Sequence, residues 1–345
     1  MQRFETDLVA TAGYFRQRVA RWWQGEAGVG GRILDMILAP AELLYRCAVS
    51  ARAAAFRRGW LRVHGAPVRV VSVGNLTVGG TGKTPVSRWV AEELRRRGER
   101  PAILHGGYGL DEPELHRHWL PGMPVIAGRD RLAGAGQAVD AGATVLVLDD
   151  GFQHQKLARD LDLVLVSAEQ WTGRVRLLPR GPWREPPAAL RRASAVIVTR
   201  KSTSAARAAT VANEVEELAP GVPVALIHIA PAGWLFWGGA PTTAPAEGAV
   251  AVASIAAPAS FVSQAESAGA RVETVLSYPD HHEYSQRDLK RIEQVAAGRP
   301  ILTTAKDAVK LADSGPWREL RVLEQKVIVE AGSENLAKLL DRVTA

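Results

Sequence analysis

Short apolar runs alternate with polar segments along residues 68–228, and this alternation predicts a parallel α/β sheet. The runs are rich in Val, Ile and Leu, which is typical of strands covered on both faces. They predict strands at Val68–Val73, Pro101–Leu104, Pro124–Ala127, Thr144–Leu148, Leu161–Val166, Ala195–Thr199 and Val222–His228. The polar segments predict helices at Pro85–Arg97, Arg129–Asp140 and Ser204–Leu218. Strands that alternate with helices in this way indicate a doubly wound, mostly parallel sheet.

A second, shorter series of the same kind predicts a smaller α/β domain nearer the C-terminus. Its predicted strands are Ala249–Ala253, Ala270–Leu276, Pro300–Thr303 and Val322–Val329, and its predicted helices are Pro258–Ala268 and Gln286–Ala297. The residues before it are rich in Gly, Pro and Thr, which is typical of a linker. We therefore expect a basic, amphipathic helical region at 1–65, a core at 66–230, a linker at 231–247, the smaller domain at 248–330 and a C-terminal helix at 331–345 that could return to the core.

A glycine-rich loop follows the first predicted strand and precedes a helix, in the segment GNLTVGGTGKTP at 74–85. Small residues let backbone N–H groups wrap a phosphate chain, and the helix N-terminus adds favourable electrostatics. Lys83 can reach the β and γ oxygens, and the Thr84 hydroxyl can ligate Mg²⁺. Although Thr77 stands where the P-loop pattern usually has its first glycine, the segment predicts a nucleoside triphosphate site rather than an ordinary β-to-α turn. The predicted contacts are Thr77, Val78, Gly79, Gly80, Thr81, Gly82, Lys83 and Thr84.

A doubled aspartate, Asp149 and Asp150, ends the apolar run 145–148 and begins the segment DDGFQH. A strand that ends in aspartate on the same sheet as a P-loop is the usual place for the Walker-B carboxylate that binds Mg²⁺. Alone, an apolar run followed by aspartate is often only a turn at a strand end. The doubled aspartate followed by Gly-Phe-Gln-His is more specific, and we predict both carboxylates, with Thr84, as the metal ligands.

The formal net charge of +7 is concentrated near the N-terminus, where residues 1–65 hold ten arginines against five acidic residues. Trp22, Trp23, Trp60 and the apolar run 33–45 lie in the same region. Basic residues with tryptophan and aliphatic side chains are typical of a helix that lies on an anionic membrane surface. The alternative is a helical hairpin packed on the core with a solvated basic face. Nucleic-acid binding is not supported, because no recognisable nucleic-acid-binding module accompanies the charge.

Cysteine usage and targeting signals point to a reducing compartment. Cys47 is the one cysteine of the 345 residues, which excludes a disulfide within the chain and a cysteine-based metal cluster. Charged residues interrupt the first twenty positions, so a signal-peptide core is lacking, and no stretch of about 20 apolar residues is present to span a bilayer. We therefore expect the protein in the cytoplasm.

The two motifs together resemble those of the tetraacyldisaccharide 4'-kinase family of lipid A biosynthesis. Further matches follow in order over about residues 46–311: Gly107-Tyr108-Gly109, Asp111-Glu112-Pro113, Arg131, Arg159-Asp160-Leu161, the segment 177–186, the segment YPDHHEY at 278–284 and the segment KDAVKL at 306–311. The resemblance implies transfer of the ATP γ-phosphoryl group to the 4'-hydroxyl of a tetraacylated glucosamine disaccharide 1-phosphate. It also implies ATP and Mg²⁺ as cofactors and peripheral attachment to the cytoplasmic face of the inner membrane.

The resemblance also implies roles for individual residues. Asp111 corresponds to the carboxylate that orients or deprotonates the attacking hydroxyl, paired with His281, and Lys83 is the third expected catalytic residue. A free aspartate is a weak base near pH 7, since its pKa is about 3.9, so most of the rate should come from positioning and charge neutralisation. The expected substrate contacts are Tyr108, Glu112, Gln153, His154 and Arg184.

Departures from the family pattern fall near the acceptor site. Gly106 stands where the family has an arginine, and Leu110 stands where it has a glycine, directly before Asp111. A divergent enzyme of the same activity is the first interpretation; an altered acceptor, or a non-catalytic nucleotide-binding protein at the membrane, is the alternative. A P-loop GTPase or metallochaperone is disfavoured, because the one segment that resembles a guanine-reading element, residues 304–307, lies far outside the nucleotide domain.

Overall fold

One twelve-stranded, mostly parallel sheet runs through the computed structural model, which describes residues 18–19, 21–107, 109, 111–312 and 320–344. Its strands are β1 Arg69–Asn75, β2 Pro101–His105, β3 Val125–Ala127, β4 Val145–Asp149, β5 Leu161–Ser167, β6 Ala195–Arg200, β7 Val224–Phe236, β8 Pro241–Thr242, β9 Ala249–Ala253, β10 Val272–Ser277, β11 Ile301–Thr304 and β12 Leu320–Ala331. Their order across the sheet is β10-β9-β11-β12-β7-β6-β5-β1-β4-β2-β3, with β8 beside β7. The predicted fold class is confirmed.

Helices cover both faces of this sheet. They are α1 Gly28–Arg57, α2 Lys83–Arg96, α3 Asp111–Trp119, α4 Arg131–Asp140, α5 Ala205–Leu218, α6 Pro258–Ser267, α7 Gln286–Ala296, α8 Ala305–Leu311 and α9 Ser333–Asp341. Several begin at side-chain caps: Asp130 accepts hydrogen bonds from the first backbone N–H groups of α4, and Ser285 forms a capping box with Asp288 at the start of α7. The predicted helices are found, and the structure adds α3 and α8.

The central strands are buried because helices pack on both of their faces. β4 and β5 are buried along their whole length. Leu336, Leu339 and Leu340 of α9 pack in the same apolar core as Val86 and Val90 of α2. The C-terminal helix therefore packs in the core of the half that carries the predicted nucleotide loop.

The two halves of the molecule share the sheet through a long antiparallel pairing of β7 with β12. The sequence predicts that this strand ends near His228 and that a linker occupies 231–247, whereas β7 continues to Phe236. Pro231 and Gly233, which favour a loop in the sequence, lie where the ladder shifts register between Glu324 and Gln325. Such an irregularity accommodates a proline that has no N–H to donate.

Helix α1 is one 30-residue helix that contains Pro40. Its large apolar side chains lie mostly outside the core, and Trp60 beyond it is also exposed; the exposed α1 side chains are Val29, Ile33, Leu34, Met36, Ile37, Leu43 and Leu44. No helix in the described part of the chain has the length and apolarity that a membrane span requires. Within the predicted helical region 1–65, residues 28–57 thus form one long helix with an exposed apolar surface, and residues 1–17 and 20 of that region lie outside the described part of the chain.

Glu42 attaches α1 to the loop 176–184. Its carboxylate is buried and accepts hydrogen bonds from the backbone N–H of Leu177 at 2.9 Å and from Arg180 Nη1 at 2.8 Å, while Arg46 Nη2 lies 3.3 Å away. Removing a buried acceptor leaves its donors desolvated and unpaired.

We predict that Glu42→Ala lowers the free energy of unfolding by about 2–3 kcal/mol, because Leu177 and Arg180 lose their acceptor. Urea unfolding followed by circular dichroism measures the change. Glu26→Ala is the matched control, since its ion pair with Arg21 is exposed and should contribute less than about 1 kcal/mol. Equal unfolding midpoints for the two variants would contradict this account of how α1 is held.

Candidate active site

The predicted nucleotide loop lies between β1 and α2. Hydrogen bonds with residues outside the loop fix its backbone conformation. The Asn75 side chain donates to the carbonyl of Thr77 at 2.8 Å and to Thr81 Oγ1 at 3.0 Å. The backbone N–H of Val78 donates to the carbonyl of Pro182 at 2.7 Å. Gly82 has φ 86°, and a Cβ there would lie 2.2 Å from a methyl of Ile229, so this position requires glycine. The loop is therefore pre-organised, with Lys83 and Thr84 in the first turn of α2.

Lys83, Arg184 and Asp150 form a charged group beside the loop. Lys83 Nζ lies 3.3 Å from Asn75 Oδ1 and 3.8 Å from Asp150 Oδ1. The Arg184 guanidinium donates to both oxygens of Asp150, at 3.0 and 3.2 Å. Burial alone would raise the pKa of Asp150, but the charges of Lys83 and Arg184 outweigh it and hold the pKa below its usual range. Arg184 thus contacts a predicted metal ligand directly.

Asp149 faces a different set of side chains. Asp149 Oδ2 lies 2.8 Å from Nε2 of the buried His116, and Oδ1 has no hydrogen-bond partner among the described residues. One oxygen of Asp149 lies within 4.8 Å of ligand atoms of His105 and Glu112, a grouping that could hold a metal ion. The backbone N–H of Gly107 faces His105 Nδ1 at 3.3 Å, so Nε2 carries the ring hydrogen and donates to Glu112 at 2.8 Å. The oxygens of Glu112 and Asp149 therefore remain the groups suited to Mg²⁺, which prefers oxygen ligands.

Asp111 and His281, 170 positions apart in sequence, are in direct contact. Asp111 is the first residue of α3, and His281 Nδ1 lies 3.1 Å from its Oδ2. Lys306 Nζ lies 3.1 Å from His281 Nε2, so Nε2 accepts that hydrogen bond and Nδ1 donates to Asp111. Gly109 has φ 78°, and a Cβ there would lie 2.8 Å from Asp111 Oδ1, so glycine leaves room for the carboxylate.

Opposing effects set the ionisation of this pair. Burial would raise the pKa of Asp111, but the hydrogen bond from His281 and the charges of Lys306 and Lys310 hold it below its usual range. The hydrogen bond to Asp111 raises the pKa of His281 against the effects of burial and of the Lys306 charge. Asp111 is therefore ionised at neutral pH and oriented by its neighbours.

A buried network holds the loop that carries His281. Asp307 accepts hydrogen bonds from the backbone N–H of Ser254 at 3.0 Å, from Tyr284 Oη at 3.1 Å and from Thr304 Oγ1 at 2.8 Å. Lys310 Nζ donates to Ser254 Oγ at 2.7 Å and to the carbonyl of His282 at 2.9 Å. Lys306 and Lys310 lie in a segment that the sequence analysis matched to the family without giving these residues a role.

The remaining predicted substrate residues have different positions. Gln153 Nε2 donates to the carbonyl of Asn75 at 3.0 Å and to Glu185 Oε1 at 3.0 Å, so it supports the end of β1. The carbonyl of His154 accepts from Arg159, and burial together with nearby arginines lowers the pKa of its ring. Tyr108 lies outside the described residues. Lys201, which the sequence analysis did not select, donates from Nζ to the carbonyl of Gly80 at 3.0 Å.

A cavity of about 1880 Å³ opens between the nucleotide loop and the loop that carries His281. Gly79 and His281 both line it, and Trp23 from the N-terminal region forms part of its wall. Its lining combines charged groups with apolar side chains that include Leu76, Trp171, Trp183 and Val275. The volume exceeds the roughly 300–1,000 Å³ of ordinary small-molecule pockets.

We predict that Lys306→Met raises the pKa of His281, because the Lys306 charge opposes protonation of the imidazole. Without the lysine charge, the imidazolium beside Asp111 keeps its proton up to a higher pH, so the pKa rises. Titration of the imidazole ¹H–¹⁵N signals by NMR measures it. Lys290→Met, at an exposed position of α7, is the matched control and should leave the titration unchanged; an unchanged or lowered pKa in Lys306→Met would refute the assignment.

Comparison with known proteins gives one consistent set of relatives. The model of the Tetraacyldisaccharide-1-P 4'-kinase (LpxK) family matches residues 34–115 and 110–345. A tetraacyldisaccharide 4'-kinase of Anaeromyxobacter dehalogenans is 38% identical over 85% of each chain, and one of Syntrophus aciditrophicus is 36% identical over 86% of this chain and 90% of its own. The crystal structure of LpxK from Aquifex aeolicus in complex with ATP is 29% identical, with a TM-score of 0.72 over 90% of this chain and 100% of its own. The chain therefore belongs to the tetraacyldisaccharide 4'-kinase family.

Proposed function

We propose that the protein transfers the γ-phosphoryl group of ATP to the 4'-hydroxyl of a tetraacylated glucosamine disaccharide 1-phosphate. One observation carries this proposal: residues 77–79 of the nucleotide loop and His281, which contacts Asp111, line one large, partly apolar cavity. The charged and polar lining residues suit the sugar and phosphates, and the apolar ones suit acyl chains.

Binding of ATP is assigned to the loop 77–84. Its backbone N–H groups and the N-terminus of α2 would surround the phosphates, and Lys83 would neutralise the β and γ oxygens. Thr84, Asp149 and Asp150 would hold Mg²⁺, with the Glu112 carboxylate beside Asp149 as a further oxygen ligand, and the ion would neutralise charge on the transferred group. Oδ1 of Asp149 fits such an ion: it is buried and has no hydrogen-bond partner among the described residues, and a desolvated anionic oxygen without a partner is costly.

The acceptor hydroxyl is assigned to Asp111. The hydroxyl would donate its hydrogen to a carboxylate oxygen of Asp111 while its oxygen attacks the γ-phosphorus. As the new O–P bond forms, the bond to the β-phosphate oxygen breaks, ADP leaves and Asp111 holds the proton. Because its pKa is lowered, Asp111 is a weak base, and it contributes chiefly by orienting the hydroxyl in line with the phosphate. His281 fixes the orientation of the carboxylate through Nδ1.

Attachment to the cytoplasmic face of the inner membrane is assigned to the apolar surface of α1 and to Trp60. These side chains are uncovered: Met36, Ile37 and Leu44 are 67–72% exposed. Arginines of the same region would contact anionic headgroups. Since Trp23 also lines the cavity, its acyl-accepting wall would lie near the lipid surface.

We predict that Asp111→Ala and His281→Ala each remove most of kcat and leave ATP affinity nearly unchanged, since neither residue belongs to the nucleotide loop. The kcat of the double variant should be only slightly below that of the less active single variant. When two residues act as a unit, removing one already removes the contribution of the other. Transfer of ³²P from ATP to the tetraacyl disaccharide 1-phosphate measures kcat.

Lys83→Ala is the control that links any transfer to the nucleotide loop, and it should abolish the activity. Fully multiplicative losses, or an active Asp111→Ala enzyme, would place the base elsewhere. An intact protein that binds ATP but never labels this acceptor would favour the altered-acceptor or non-catalytic alternative.

We predict that replacing Met36, Ile37 and Leu44 together by serine removes most co-sedimentation with anionic vesicles without unfolding the protein, because these side chains are exposed. Binding of the parent should be partly sensitive to salt, since headgroup attraction is screened and apolar insertion is not. Ile328→Ser, at an exposed apolar position of β12, is the matched control. Undiminished vesicle binding by the triple variant would disprove the assignment of this surface.

A further inference from the structure

Helix α3 carries a second functional group besides Asp111. His116 lies on its buried side, 0% exposed, and its Nε2 is 2.8 Å from Oδ2 of Asp149, which is 1% exposed. Neither the sequence motifs nor the proposed mechanism above uses this histidine. A histidine paired with a carboxylate at the end of β4 therefore needs its own explanation.

The two carboxylate oxygens of Asp149 differ in their hydrogen-bond partners. Arg131, also buried, donates from Nη2 to the backbone carbonyl of Asp149 at 3.1 Å. His116 thus supplies the hydrogen bond that orients Oδ2, while Oδ1 lacks a hydrogen-bond partner in the described part of the chain. A fixed Oδ2 leaves Oδ1 open for a cation beside Glu112, whose carboxylate lies within 4.8 Å of an Asp149 oxygen.

The hydrogen on the His116 ring must be on Nε2. Its Nδ1 has no hydrogen-bond partner among the described residues. With a hydrogen on Nε2 the ring can donate to Asp149, whereas a ring with its hydrogen on Nδ1 alone would set a lone pair against the carboxylate. The ring therefore donates to Asp149, which is the arrangement by which neighbours orient metal-binding carboxylates.

We propose that His116 is a positioning residue for the divalent cation: it holds Asp149 through Oδ2 and thereby presents Oδ1 to the metal. Because His116 and Asp111 belong to one helix, the same element fixes the metal carboxylate and the acceptor carboxylate relative to each other. This inference rests on the part of the proposed function that gives Asp149 to Mg²⁺, and it does not depend on the acceptor.

The test is Mn²⁺ binding to the full chain in the presence of a non-hydrolysable ATP analogue, followed by the EPR signal of free Mn²⁺. His116→Leu should weaken Mn²⁺ binding by about tenfold or more, the effect typical of losing a partner that orients a metal ligand. His116→Gln should stay close to the parent, since its amide nitrogen can take the place of Nε2. His118→Leu, on the exposed side of the same helix, is the matched control and should change nothing. The affinity for the analogue in EDTA should be the same in all of them.

Unchanged Mn²⁺ binding in a folded His116→Leu variant would overturn the proposal. If that variant does not fold, His116→Asn, whose amide is too short to replace Nε2, is compared with His116→Gln. Weaker binding in the asparagine variant alone supports the proposal, and equal binding in the two overturns it. Failure of the proposed function is distinguishable, because a parent that binds Mn²⁺ with the analogue but transfers no phosphoryl group leaves these comparisons intact.

Discussion

Four carboxylates crowd the carboxyl edge of the sheet, and the structure depends on neutralising them. Each has a cationic or donor partner from a different element. Asp111 contacts His281, Glu112 contacts His105 and Lys306, Asp149 contacts His116, and Asp150 contacts Lys83 and Arg184. Buried charges without partners would cost several kcal/mol each, so these contacts decide which loops can approach the site.

Lys306 joins the two halves of the molecule. It belongs to α8, which follows β11 in the C-terminal half. Its Nζ lies 3.2 Å from Glu112 Oε1 on α3. It also lies 3.6 Å from Asp111 and 3.7 Å from Asp280. Burial would lower the pKa of Lys306, but the surrounding carboxylates outweigh it and raise the pKa, so the group stays charged. The positive charge beside Glu112 thus comes from the C-terminal half of the chain.

The strands of the sheet are easier to predict from the sequence than the side-chain contacts around them, and the reasons are physical. Buried parallel strands are runs of β-branched residues, and those runs give most strand positions within a few residues. β7 is the exception, since Pro231 and Gly233 are loop-forming in isolation and only the partner β12 keeps them in the ladder. The acidic start of α3 is typical of a helix N-terminus, which is what Asp111 forms.

The site residues likewise divide into those that could be selected from the sequence and those that could not. The nucleotide loop is local in sequence, so its residues could be selected from spacing alone. His116 could not, because a histidine on the buried side of a helix has no distinctive pattern, and its role comes from Asp149 on another strand. The functional assignments of the selected residues remain predictions.

The N-terminal helix and the phosphate site are mechanically connected through the loop 176–184. Glu42 binds the backbone of Leu177 in this loop, and Tyr45 Oη donates to the carbonyl of Arg184 at 3.0 Å. The Arg184 guanidinium in turn donates to Asp150. Tilting α1 would therefore move the backbone that carries Arg184. On the proposed membrane attachment and the proposed ATP site, a short chain of hydrogen bonds would therefore connect the surface that contacts lipid with the charges that contact ATP.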